Sequence, residues 1–145
     1  MRRNILIFFL LLSLSGMAVA QQTAVANELV KAALTETEIN GILSADPNGI
    51  LYYNYLTEGG WFVIEIPNEK PVDLPVYPYL FKIDRATKQN TGEVLSINDL
   101  PTFNLLLYRY KISPMRNYYL VQGSRKVIVI LSHAEITDGF NHYKN

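Results

Sequence analysis

The stretch NYYLVQGSRKVIVIL, residues 117–131, reads as one β-hairpin whose second strand is continuously apolar. Gly123 and Ser124 stand at the tip, between two runs rich in aromatic and β-branched residues, which is typical of a hairpin. Residues 127–131 carry no polar side chain, and a strand without polar alternation is usually covered on both faces. The sequence therefore predicts that this strand is central in a sheet.

The segments before this hairpin predict further strands. VYPYLFKID, residues 76–84, alternates in strand fashion, and Pro78 marks a strand start or a sheet edge because proline cannot donate to a ladder. EVLSI, residues 93–97, is the expected return strand. Residues 99–112 fit either a strand or a helix, and a helix is favoured because Asp99 before an early proline is a start signal.

GILYYNYLTEGGWFVIEIP, residues 49–67, predicts another hairpin. Gly59-Gly60 would be its two-residue turn, since such turns need positive φ and glycine supplies it without steric cost. In this pairing Tyr52 and Trp61 lie on a half-exposed face. The opposite face turns toward the core and collects Tyr53, Tyr55, Phe62, Ile64 and Ile66.

Two helices precede this stretch. Apolar residues recur at three- and four-residue spacing and predict helices at about 24–34 and 36–44. Thr35 and Glu38 match a capping box, in which each satisfies a backbone N–H of the other. DPNG, residues 46–49, has the turn residues that would end the second helix.

Together these elements predict an α+β fold in which N-terminal helices pack on an antiparallel sheet of about five to six strands built from hairpins. A cystatin-like curled sheet around a helix is the alternative. That likeness is one of fold alone and implies no function.

The first twenty residues, MRRNILIFFLLLSLSGMAVA, have the three parts of a secretory signal peptide: an arginine pair, a short apolar run and a small-residue cleavage site. We therefore expect residues 1–20 to be a signal peptide and residues 21–145 to form a single α+β domain. No second long apolar run follows, so no transmembrane segment is expected after signal removal. The expected location is periplasmic or secreted.

The composition narrows the function classes. Removing residues 1–20 takes away Arg2 and Arg3, which leaves 11 basic against 13 acidic residues, a balance that argues against a nucleic-acid partner. The chain has no cysteine, so a disulfide framework and a catalytic thiol are excluded. The compact signal and the lack of cysteine and of glycosylation acceptors favour a bacterial cell envelope.

One catalytic hypothesis rests on the end of the chain. On a strand His133 and Glu135 would share a face, and a turn at Asp138-Gly139 would bring His142 back toward them. Imidazole and carboxylate groups in this arrangement suit zinc. The alternative is that the end of the chain is a solvated polar segment. This interpretation is favoured over a metal site, which would make the protein a metal-dependent hydrolase.

The leading hypothesis is a small exported, non-catalytic binding or accessory protein without a cofactor. Residues 101–134 contain five basic residues and no acid, and the chain has ten tyrosines, which suit both strands and binding surfaces. The partner would be a protein or glycan of the envelope, contacted through a sheet face or the edge near Pro78. The candidate contact residues are Tyr52, Trp61, Arg109, Arg116 and Arg125.

Overall fold

The structure, a computed structural model, describes residues 23–67 and 76–145. Its helices are α1 (Glu28–Ala33), α2 (Glu36–Ala45), α3 (Ile50–Gly59) and α4 (His133–Tyr143). Its strands are β1 (Trp61–Glu65), β2 (Phe81–Ile83), β3 (Asn90–Val94), β4 (Asn117–Leu120) and β5 (Lys126–Ile130). Every helix in these residues falls short of the length and apolar character that a membrane span requires.

The predicted C-terminal hairpin and its central strand are confirmed. β5 pairs antiparallel with β1 on one side and with β4 on the other, in the order β1-β5-β4. Residues 127–130 are fully buried, as a strand covered on both faces requires. Gly123 in the β4–β5 turn has a φ of +78°, a conformation that favours glycine.

The mixed helix and sheet class is confirmed, but the predicted sheet of five to six strands is wrong. The strands divide between the three-stranded sheet and a separate antiparallel pair, β2 and β3. The predicted strands at 76–84 and 93–97 correspond to this pair with shifted bounds. Tyr79 makes only an isolated bridge, and β3 begins at Asn90.

The predicted hairpin at 49–67 is wrong in its first half, because residues 50–59 form α3. Ile50, Asn54 and Thr57 recur at helical spacing on the buried side of this helix. Gly60 ends the helix with a φ of −82°, so it is no positive-φ turn residue. Glycine is needed there because a Cβ would lie 2.9 Å from the carbonyl oxygen of Leu56.

The two N-terminal helices and the capping box between them are confirmed. The Glu38 carboxylate accepts from the Thr35 N–H at 2.7 Å, and the Glu38 N–H donates to the Thr35 hydroxyl at 3.3 Å. α1 is shorter than the predicted 24–34 because Asn27 caps it: the Asn27 side chain accepts from the Val30 N–H at 2.8 Å.

Residues 99–112 form neither the favoured helix nor a strand. They contain two single-turn 3₁₀ helices, Leu100–Thr102 and Leu105–Leu107. Asp99 precedes the first of these helices, but its side chain makes no capping hydrogen bond, because its carboxylate accepts instead from the Ser96 N–H and hydroxyl. Asn104 donates to the Leu29 carbonyl oxygen at 2.8 Å, which ties this segment to α1.

The C-terminal tail forms α4, so the strand conformation that the metal hypothesis requires at His133 and Glu135 is wrong. Ser132 and Glu135 form a second capping box, with the Glu135 carboxylate accepting from the Ser132 N–H at 2.9 Å. Ile136 is the buried residue of α4, and Gly139 lets the helix approach the hydroxyl of Tyr55 on α3. SHAE, residues 132–135, is therefore a helix start.

The loop between β2 and β3 is fastened to the bend between α1 and α2. Arg85 donates to the carbonyl oxygens of Lys31 and Leu34 at 3.1 and 2.9 Å. Lys88 donates to the Ala33 carbonyl oxygen at 3.1 Å and pairs with the Glu38 carboxylate. These cations satisfy carbonyl groups that the end of a helix leaves without partners.

Two clusters of buried side chains form the core. The helical cluster includes Val30, Ile50, Leu56, Leu106 and Ile136. The sheet cluster includes Leu80, Leu95, Phe103, Leu105, Ile128 and Ile130. Leu107, Tyr110 and Ile112 pack against both clusters, so residues 107–112 join the helices to the sheet.

Asn54 is a buried polar side chain on α3 that holds the segment before α1. Its amide oxygen accepts from the Asn27 N–H at 2.8 Å, and its amide nitrogen donates to the Val25 carbonyl oxygen at 2.9 Å. The Asn27 side chain in turn donates to the Thr57 hydroxyl at 3.0 Å. Buried polar groups are stable only when they are paired in this way.

We expect Asn54→Ala to lower the free energy of unfolding by about 1–3 kcal/mol, because it leaves two backbone groups without partners. Asn40→Ala, at an exposed position of α2, is the control and should change it by less than about 0.5 kcal/mol. Urea denaturation of both variants measures the difference. Equal stability of the two variants would contradict the role of Asn54.

Candidate functional site

The three-stranded sheet has one face on the core and one directed away from it. Ile128 and Ile130 of β5 belong to the sheet cluster, with Trp61 and Tyr119 packed against it. Since side chains alternate along a strand, the residues between them point the other way. We call this second side the outer face. By register its residues on β1, β5 and β4 are Phe62, Ile64, Val127, Val129, Tyr118 and Leu120.

The outer face continues beyond β4. Tyr79 forms a parallel bridge with Leu120, and the Leu120 N–H donates to the Pro78 carbonyl oxygen at 2.8 Å. The rings of Tyr77 and Tyr118 lie 5.7 Å apart. The face thus spans four chain segments, about 14 Å at the usual ~4.8 Å strand spacing. The edge near Pro78, predicted as a contact edge, is occupied by β4.

The outer face is apolar and partly exposed. Phe62, Ile64 and Tyr79 keep 37%, 38% and 40% of their surface accessible, and Tyr118 and Leu120 are half-buried. Val127 and Val129 between them are fully buried. Contiguous exposed apolar patches on a folded protein often mark sites of interaction.

β1 is the open edge of this sheet in the described part of the chain. The Leu131 N–H donates to the Gly60 carbonyl oxygen, and the Ile66 N–H donates to the Arg125 carbonyl oxygen. The antiparallel ladder alternates, so the backbone groups of Trp61, Val63 and Glu65 point away from β5. β5 is the one strand that pairs with β1 among the described residues.

Two ion pairs border the outer face. Arg116 places its guanidinium 5.4 Å from the centre of the Phe62 ring and binds both carboxylate oxygens of Glu135. Arg125 binds Glu65 at 3.2 Å. The Arg116 guanidinium and the Ser132 hydrogen bonds lower the pKa of Glu135 to about 2. The Arg116–Glu135 pair is therefore ionised at neutral pH.

The predicted contact residues are not brought together. Trp61 packs edge-on against Phe103 at 4.5 Å, and its indole N–H donates to the Thr57 carbonyl oxygen at 3.1 Å. Tyr52 lies on α3 with its ring 5.5 Å from Phe140. Arg109 is exposed near β2, where its backbone N–H donates to the Phe81 carbonyl oxygen. Only two of the five predicted residues, Arg116 and Arg125, border the outer face.

The sequence prediction for the outer-face residues of β1 is wrong. The predicted hairpin places Phe62 and Ile64 on one core-facing side with Tyr53 and Tyr55. α3 removes that pairing partner, and β5 takes its place. The alternation of Tyr77 and Tyr79 was the sequence signal that did point to a shared face.

The structure does not assemble the predicted metal ligands. His133 and His142 stand nine positions apart on α4, which corresponds to about 13 Å along a helix. Glu135 between them is engaged by Ser132 and Arg116. Across residues 23–67 and 76–145, no group of three or more His, Asp or Glu side chains is placed to hold a metal ion.

Comparison of the chain with protein-family models, with curated proteins and with solved structures finds no match. The outer face and the β1 edge together offer two kinds of interaction. The face offers apolar and aromatic side chains, and the edge offers backbone donors and acceptors in strand geometry. A partner that supplies an extended strand with apolar side chains would use both.

We expect Trp61→Ala to act on stability, because Trp61 contacts the core. Fully buried tryptophans cost about 3–5 kcal/mol on truncation, so a half-buried one should cost about 2 kcal/mol. Val76→Ala, at a position that is 97% exposed, is the control and should leave the unfolding free energy nearly unchanged. Denaturant titration measures the free energy of unfolding of both variants. An unaltered stability of Trp61→Ala would contradict the role of Trp61 in the core.

The Glu135 carboxylate predicts a pH dependence of stability. Its pKa is about 2 in the folded protein against an ordinary 4.5, so the folded state binds fewer protons between these values. The stabilisation is complete above pH ~4.5 and is lost as the pH falls toward 2. The stability difference between the natural protein and Glu135→Gln should therefore narrow over that interval in denaturant titrations. Exposed Glu36→Gln is the control, and a constant difference would refute the expectation.

Proposed function

We propose that this protein is a small exported, non-catalytic binding or accessory protein of the bacterial cell envelope. It binds another protein through the outer face and the β1 edge. The observation that carries the proposal is the continuity of the two: Phe62 and Ile64 are exposed on the same strand whose backbone groups are unpaired on one side in the described chain.

A protein partner suits this surface better than a glycan. The exposed part of the face is formed by aliphatic and aromatic side chains, and the two arginines at its rim are already paired with carboxylates. A glycan site needs several convergent hydrogen-bonding side chains, whereas an added strand needs backbone groups and pockets for alternate side chains. β1 has the sequence WFVIE, without the lysine or proline that commonly protects an edge.

The competing hypothesis of a metal-dependent hydrolase receives no support from the geometry. It needs His133, Glu135 and His142 close together, and α4 holds the two histidines at different turns. Export of the mature chain rests on the N-terminal sequence pattern, which lies outside the described residues.

The test is capture of envelope proteins by the mature protein, compared between two lysine substitutions. Ile64→Lys places a charge on the β1 edge of the outer face, and Val25→Lys places one at an exposed apolar position of the N-terminal segment. We expect a stoichiometric protein partner that is retained by Val25→Lys and by EDTA-treated protein. Its capture should fall at least tenfold with Ile64→Lys.

Hydrogen exchange then tests how the partner binds. The amides of Val63 and Glu65 point away from β5, so an added strand should slow their exchange, while the amide of Ile64 is already paired with β5. A glycan whose capture falls with Ile64→Lys, equal capture of the protein partner by both lysine variants, or unchanged exchange at Val63 and Glu65 would each contradict the proposal.

A further inference from the structure

A cavity of about 270 Å³ lies between β2 and the two 3₁₀ helices. Its polar side chains are Lys82, Asp99, Thr102 and Asn104, and its apolar side chains are Ile83, Leu107 and Tyr108. Small-molecule sites commonly combine apolar walls with a few convergent polar groups. We propose that this cavity binds a single neutral sugar ring, through adjacent hydroxyls held by Lys82 and Asp99.

The Asp99 carboxylate is held in one orientation. One of its oxygens accepts from the Ser96 N–H at 3.1 Å and from the Ser96 hydroxyl at 2.9 Å. The other oxygen lies 3.1 Å from the Lys82 ammonium. Burial opposes ionisation of Asp99, but the Ser96 hydrogen bonds and Lys82 outweigh it and lower its pKa. Asp99 is therefore a fixed acceptor at the cavity.

Lys82 is fixed by the same contacts. Its ammonium pairs with Asp99 and, at 3.5 Å, with Glu93. The hydrogen bond to Asp99 raises the pKa of Lys82, so it remains a cation at neutral pH. An ammonium has three N–H groups and a carboxylate accepts at about four positions. Within the described chain, each group thus keeps at least one hydrogen-bonding position that the other residues do not use.

These open positions match two neighbouring hydroxyls. A sugar hydroxyl donates and accepts at once, so one hydroxyl can accept from Lys82 while the next donates to Asp99. The 3.1 Å separation of the two protein atoms places them at a spacing that adjacent ring substituents can bridge. Leu107, Ile83 and Tyr108 provide an apolar wall for the C–H face of a ring.

The charges argue against an ionic ligand. An anion would meet the carboxylates of Asp99 and Glu93, and a cation would meet the Lys82 ammonium. A neutral ligand is repelled neither by the carboxylates nor by the ammonium, and it gains charge-assisted hydrogen bonds from both. The site shares no residue with the outer face, so its failure would leave the proposed protein-binding function untouched, and the reverse also holds.

The test is a titration of the ¹⁵N-labelled mature protein, followed by NMR, with methyl β-glucoside and methyl β-galactoside. Acetate and methylammonium are added as charged probes in separate titrations. We expect saturable shifts of the Asp99, Thr102 and Leu107 amides with at least one glycoside, and no saturation with either ion. Lys82→Met should weaken glycoside binding at least tenfold.

Two further variants make the result decisive. Lys111→Met removes an exposed lysine outside the cavity and should bind as the natural protein does. Thr102→Trp fills the cavity from an exposed position and should abolish binding without loss of fold. Absence of saturation with both glycosides, equal affinities of Lys82→Met and Lys111→Met, unchanged binding by Thr102→Trp, or saturation by an ion would each overturn the proposal.

Discussion

The burial of β5 on both faces is the constraint from which the sheet follows. Four consecutive apolar residues, 127–130, must be covered above and below, so β5 has to be central and its neighbours must be apolar on each side. The core supplies the inner cover. On the outer face the side chains that flank the buried Val127 and Val129 must therefore be apolar, and they are Phe62, Ile64, Tyr118 and Leu120. The apolar outer face is therefore a structural consequence of β5 and at the same time the surface that suits a partner.

Long-range polar contacts hold the helices to the rest of this cysteine-free chain. Asn104 reaches Leu29 in α1, and the β2–β3 loop reaches the α1–α2 bend through Arg85 and Lys88. Exposed ion pairs alone contribute little to stability. Arg85 and Lys88 act mainly by satisfying carbonyl groups at the end of α1, which otherwise lose their partners on folding. The helical and sheet clusters are thus joined by directed hydrogen bonds as well as by shared apolar side chains.

Local sequence patterns were sufficient to predict a structural element where a single pattern dominated. The Thr35 capping box and the Gly123 hairpin were predicted because their chemistry is complete within a few residues. α3 was missed because its tyrosines alternate as in a strand, while its buried side depends on Asn54, whose partners lie 27 and 29 residues away. Ser132 and Glu135 have the same capping signature as Thr35 and Glu38, and it indicates a helix at the residues that the metal hypothesis places on a strand. The outer face and the Lys82–Asp99 cavity depend on strand order, which local patterns do not contain.

The fastening of the α1–α2 bend has a consequence for the order in which the chain can fold. Arg85 and Lys88 stand 51 to 55 residues after the carbonyls they bind, and Asn104 stands 75 residues after its own. A ribosome delivers the chain from its N-terminus, so α1 emerges long before these partners do. Contacts of such sequence separation form late and slow the folding of small proteins. The carbonyl groups of α1 and of the α1–α2 bend therefore gain these partners only after the chain has been synthesised through residue 104.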